Sequence, residues 1–171
     1  MEFGKVQLAG TGISPGNQTQ RFSSLVFPAV FSACVELRGE EWFRPVSQDM
    51  PLVRDTWQQM LEQGVGTVIT DVAGRRDVLH MRLTAPVAFI RFVTNRLHPT
   101  DYQRADAWVD RIGTWAGKGL REVYIFVHSP EELTSPEIMK YLVGRFNERG
   151  LASLPVPNLA NGGQPGNLSL F

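Results

Sequence analysis

Five ionisable residues stand at or near the ends of apolar runs in this chain: Glu36, Arg38, Asp71, Arg91 and His128. Glu36 and Arg38 are two apart, so in an extended segment both point to one side. Two carboxylates at neighbouring strand ends could do general acid–base work of the kind that cleaves glycosidic bonds. That makes Glu36 and Asp71 the candidate catalytic groups. Arginine forks grip phosphate or carboxylate bidentately. Arg38, Arg91 and the adjacent Arg75 and Arg76 are therefore candidate ligand-binding residues, with His128 at the last strand end. Trp42, just past Arg38, could stack on a sugar or a base, although aromatic residues in such positions more often pack a loop. Each charge also has a plainer reading as half of an ion pair, Glu36 with Arg38 being the most direct.

These groups need strands to hold them. Five short apolar runs rich in valine, isoleucine and phenylalanine read as strands: Lys5–Ala9, Ala33–Arg38, Thr67–Val72, Val87–Val93 and Glu122–His128. Their nearly continuous apolarity predicts a parallel sheet covered on both faces. Helical stripes lie between them. Val53, Trp57, Met60 and Leu61 form one, started by Asp49 and stopped by Gly64. Ala105, Trp108, Ile112 and Trp115 form a second, with Thr100 and Gln103 as a capping box. Ile138, Leu142, Val143 and Phe146 form a third, with Ser135 as N-cap, Pro136 in the first turn and Gly150 at the end. A weaker helix is expected over Gln18–Ala29. Alternation of strand and helix predicts an α/β fold with right-handed crossovers. One domain spans 1–158, and the proline- and glycine-containing remainder, 159–171, reads as a flexible tail.

Bulk properties narrow the function classes. The 171 residues suffice for one domain with a sizeable core, and 43% hydrophobic with 20% charged content is ordinary for a globular protein. The formal net charge is zero, so no global basic footprint marks a nucleic-acid or membrane binder. Locally, Arg75, Arg76, Arg82, Arg91 and Arg96 face Asp77 alone, which keeps open a nucleic-acid-binding alternative of the barrel-endonuclease type. The single cysteine, Cys34, cannot form an internal disulfide and reads as a buried, inert thiol. No run reaches the roughly 18 apolar residues of a membrane span, and the N-terminus lacks signal-peptide character, so a cytoplasmic location is expected. The glycines of "AGTGISPG" fail the dinucleotide pattern, because its third glycine falls at Pro15. Walker, zincin, C-x-x-C and nucleophile-elbow motifs are missing. The three histidines are scattered, which gives no metal site, and no cofactor is indicated.

The stretches "CVELRGEEWF", "GVGTVITDVAGRRDVLHMRLTAPVAFIRFV" and "REVYIFVHS", with a tryptophan-bearing amphipathic helix between the last two, resemble the YecE-like family, domain of unknown function 72. The resemblance runs from about Lys5 to Asn158. It implies a TIM-like (β/α)₈ barrel of unknown activity, with ligands at the carboxyl ends of the strands. Such barrels need about 250 residues. The five strands therefore correspond to the fourth to eighth, as in a partial barrel truncated at its N-terminus, with Met1 an internal start. Glu36, Arg38, Asp71 and Arg91 match the family's strand-end pattern. The chain departs from it at Phe92-Val93-Thr94, at His128-Ser129 and in the loop after Leu8. Glu131 and Glu132 make the last loop a poor phosphate cradle.

Three functions follow as expectations. The first is a barrel that binds, and could hydrolyse, a small anionic or phosphorylated ligand. The second is the nucleic-acid alternative. The third is a non-functional half-barrel that self-associates through open sheet edges. The first rests on Glu36, Asp71 and Arg91 meeting over one mouth of one curved sheet.

Overall fold

The computed structural model describes residues 33–39, 42–43, 51–131 and 134–158, with residues 51–53 described by backbone alone. The expected strand Lys5–Ala9, the helix Gln18–Ala29, the N-cap Asp49 and the tail 159–171 lie outside the described residues. Within them the elements are β1 (Cys34–Val35), α1 (Pro51–Glu62), β2 (Gly66–Val72), β3 (Val87–Val93), α2 (Pro99–Ala116), β4 (Glu122–His128) and α3 (Ser135–Glu148). The sheet runs β1-β2-β3-β4 with every neighbour parallel. This is an α/β fold, consistent with part of a barrel. Residues 73–86, which join β2 to β3, contain no helix. They begin in a turn, with Val72 accepting from the Arg75 amide at 3.1 Å. Gly74 supplies the left-handed φ of +79° that this turn needs at its third position.

Alternation along the strands sorts side chains onto two faces. Ile69, Ala88, Ile90 and Phe92 pack against Ala105, Trp108, Val109 and Ile112 of α2 and Ile138 and Leu142 of α3. The opposite face carries Thr70, Phe89, Arg91 and Val93, all half-buried. Among the described residues, then, helices cover one face only. The continuous apolarity of the strands has a different cause from the two helix layers expected: the second face is the concave side of a curved sheet. Three strand spacings, about 14 Å if flat, separate β1 from β4. Yet the Glu122 carboxylate on β4 acts on the Cys34 thiol on β1, adding to the burial that already pushes this thiol's pKa up. A raised pKa keeps the thiol protonated and inert.

The three helices end alike. Met60, Trp115 and Phe146 each accept a bond from the amide five residues on, at Val65, Leu120 and Leu151. Gly64, Gly119 and Gly150 hold the left-handed position just before it. This is the Schellman closure, which satisfies the last carbonyls. The starts differ from expectation. Pro99 already occupies the first turn of α2, so His98 is the N-cap and its Nδ1 accepts from the Thr100 amide at 3.3 Å. At α3 the cap is Thr134, while Ser135 is helical. The Thr134 hydroxyl donates instead to the Glu131 carbonyl at 2.7 Å, and so does no capping.

A second core lies under α1, where Leu37, Trp42, Trp57, Met60 and Val65 cluster. His80 closes it. Its ring stacks on Phe43 at 5.0 Å and 7°, and meets Trp57 edge-on at 5.3 Å. Nδ1 accepts from the Arg82 amide at 3.3 Å, which leaves Nε2 to donate to the Val68 carbonyl at 3.2 Å. That is the neutral ring, and burial, reinforced by the Arg82 charge, holds its pKa down at about 4. The unfolded chain, with its histidine near 6.5, therefore takes up the proton first. Stability is fully present above pH 6.5 and falls as pH drops towards 4, by at most about 3 kcal/mol. Denaturant midpoints measured from pH 7 to 4.5 should show this decline, and His80→Gln should flatten it.

Candidate functional site

The sheet's carboxyl end carries two charged clusters, one on each face. On the helix face Asp71 is only 2% exposed. Its Oδ1 accepts from Arg76 and, at 2.8 Å, from Arg104, and its Oδ2 accepts from Trp108 Nε1 at 2.7 Å. Arg104 extends the network. Its Nη2 donates to Asp101 at 2.7 Å and to the Val93 carbonyl at 2.9 Å, while its guanidinium lies 4.4 Å from the Phe92 ring centroid. Buried Asp101 in turn accepts from the Asn95 amide at 2.8 Å. Strands β2 and β3, the loop after β3 and helix α2 are thus tied through one chain of charge-assisted bonds. An open cleft of about 510 Å³ lies in front of it, lined by Gly74, Arg76, Asn95, His98, Gln103 and Arg104 among others. The same loop holds Arg96 and Leu97 at φ of +52° and +60°. Left-handed non-glycine residues cost about 1 kcal/mol or more each, and the His98 amide bond to the Asn95 carbonyl at 3.0 Å closes the turn they make.

On the concave face Glu36 is the centre. Its Oε1 accepts from the Thr70 hydroxyl at 2.7 Å and lies 3.5 Å from Arg91 Nη1. Its Oε2 accepts from Arg38 at 2.8 and 3.1 Å. Burial alone would raise the Glu36 pKa. The hydrogen bonds from Thr70 and Arg38 and the charges of Arg38 and Arg91 outweigh it, so the carboxyl sits below its ordinary range. Glu36 is therefore a carboxylate at neutral pH, suited to act as a base or acceptor and not as a general acid. Arg91 is 39% exposed. Among the described residues its guanidinium makes that one 3.5 Å ion contact and no hydrogen bond. Phe126 and His128 on β4 share this face, directly across from Arg91 and Val93.

Several expectations change. Glu36 and Arg91 do meet, but Asp71 does not join them. Thr70 and Asp71 are consecutive on β2 and point to opposite faces, so Asp71 meets α2 while Thr70 meets Glu36. The two-carboxylate pairing of Glu36 with Asp71 has no shared space. Trp42 stacks on no open cleft, being 3% exposed and part of the α1 core. Arg75 pairs with exposed Asp77 at 2.8 and 3.0 Å, and Arg76 turns back to Asp71. The five arginines between residues 75 and 96 do not form one stripe either. Arg82 lies over Trp57 at 5.1 Å, Arg96 reaches Glu131 at 3.8 Å, and Arg91 is on the other face from Arg76. Sequence reasoning missed Arg104, Asp101, Trp108 and Thr70 as partners. The i,i+3 spacing of Asp101 and Arg104 was the available signal for the first two. Among the described residues no group of three histidine, cysteine or acidic side chains is placed to hold a metal, and no helix is long and apolar enough to cross a membrane.

The model of a family described as proteins of unknown function, DUF72, matches residues 8–161. The chain belongs to that family. No curated protein matches it. A crystal structure of a DUF72 family protein from Enterococcus faecalis V583 is similar, with a TM-score of 0.51 at 16% identity, over 71% of this chain and 50% of that one. The chain thus spans about half the length of that protein, and at such identity the likeness concerns the fold alone.

The two acidic pairings should differ sharply in worth. Asp71→Ala leaves Nη1 of buried Arg104 and Nε1 of buried Trp108 without their shared acceptor and should destabilise the fold by about 3–5 kcal/mol. Asp77→Ala removes only an exposed pair and should leave the denaturation midpoint close to that of the unaltered protein. Urea titration of both variants checks the contrast.

Proposed function

We propose that this DUF72 chain forms one side of a (β/α) barrel and binds a small anion, a phosphate or carboxylate, on the concave face at the carboxyl ends of its strands. The observation that carries this reading is Arg91. A guanidinium has five N–H donors in a rigid fork, and here none is hydrogen-bonded within the described residues. Arg38 and Arg91 against Glu36 leave the cluster one positive charge in excess. Glu36 steadies both arginines from one side and leaves their outer edges to a ligand. In open sheets and barrels this end of the strands is where ligands bind.

The helix-face cleft is the weaker anion site because its two arginines, Arg76 and Arg104, are balanced by Asp71 and Asp101, which leaves no positive charge in excess. Thr100 and Asp101 amides bond to His98 Nδ1 and the His98 carbonyl. The two Nη atoms of Arg104 are taken by Asp71, Asp101 and Val93. Hydrolysis by a carboxyl pair is not part of the proposal, since the only expected partner of Glu36 faces the other way.

Inorganic phosphate should bind with a Kd on the order of 1 mM, about −4 kcal/mol. Amide and arginine side-chain NMR shifts should move at Thr70, Arg91 and Phe126. Arg91→Ala should abolish these shifts and Arg76→Ala should leave them in place. Shifts that survive Arg91→Ala, or that centre on Arg76 and His98, would overturn the proposal.

A further inference from the structure

We infer that the ligand's anionic group is carried on a flat ring, and that Phe126 and Phe89 form the platform for that ring. The inference rests on the Arg91 reading and adds the class of molecule. In register, Arg91 on β3 lies directly across from Phe126 on β4, and Phe89 lies across from Tyr124. All four side chains stand on the concave face. The backbones that carry Arg91 and Phe126 are thus one strand spacing apart, about 4.8 Å.

The rings are pre-arranged. Phe89 and Phe126 stack with centroids 4.7 Å apart and planes 15° from parallel, and Phe89 meets Tyr124 at 6.0 Å. Phe126 nonetheless remains 40% exposed, an unusual state for a phenylalanine in the middle of a parallel strand. On the other side of the same strand Ile125 and Val127 pack into the core, while Val123 near the strand's start is also exposed, at 37%. Ligand sites combine an apolar wall with a few polar groups that fix orientation. Here the wall is the ring platform, and the polar groups are Arg91, Thr70 and Glu36. A molecule such as an aryl phosphate or aryl carboxylate places its charge on Arg91 and its ring over Phe126. The Thr70 and Glu36 oxygens remain available to any hydroxyl it carries.

Calorimetric and NMR titrations with inorganic phosphate, glycerol phosphate and phenyl phosphate test this. Phenyl phosphate should bind roughly tenfold more tightly than the other two, as expected for one added aromatic contact, and should induce ring-current shifts at Tyr124 and Phe126. Phe126→Leu keeps apolar bulk but removes the flat face. It should erase the gain of phenyl phosphate while leaving inorganic phosphate binding unchanged, and Phe126→Ala should do the same if it retains the wild-type amide spectrum. Equal affinity for the three compounds, or a gain that survives Phe126→Leu, would overturn the ring platform and leave the Arg91 site standing. Absence of any phosphate binding would overturn both.

Discussion

A buried carboxylate at the end of β2 needs three donors, and much of the architecture around it can be understood as their delivery. Asp71 lies where β2 passes under α2. An unpaired charge there would cost several kcal/mol. Arg104 and Trp108 come from one face of α2, one turn apart, and Arg76 returns from the loop that Gly74 turns back. Meeting this need fixes the rotation of α2 about its axis. It also draws the loop after β3 inward, because Arg104 requires Asp101 and Asp101 takes the Asn95 amide. Two left-handed residues, Arg96 and Leu97, are tolerated on the way.

This rigid side leaves the concave side free to carry chemistry. Thr70 precedes Asp71 by one residue, so the same register that buries Asp71 presents the Thr70 hydroxyl to Glu36. Any slip of β2 by one residue would exchange the two. The helix-face network therefore does more than stabilise. It holds the strand on which the concave-face cluster is built, and through β3 it sets the height of Arg91 relative to Glu36 and Phe126.

Much of the architecture was legible in the residues. Val87–Val93 and Glu122–His128 fall where their apolar runs placed them, and β2 differs by one residue. The helix stripes hold where side chains are described, because burial on a single face imposes its period directly; Leu61, at the edge of its stripe, stays exposed, and the side chain of Val53 lies outside the described residues. Strand ends were the harder problem. Alternation tells which residues share a face but not which face meets helices, so Asp71 and Arg91 looked alike until α2 was placed. Helix starts were misjudged where Pro99 and the turned-back Thr134 hydroxyl overrode the usual capping pattern. Trp42 looked like a ligand platform because a loop aromatic gives no hint, by itself, of the α1 core it fills.

The position of β4 has a consequence of its own. In the described sheet β3 has ladder partners along both sides, β2 meets β1 only at Gly66 and Thr67, and β4 pairs with β3 alone. In a parallel ladder successive amides point alternately to the two neighbours. Solvent deuterium should therefore enter β4 at every second amide long before it enters β3, so that the slowest-exchanging protons mark the inner strand that carries Arg91.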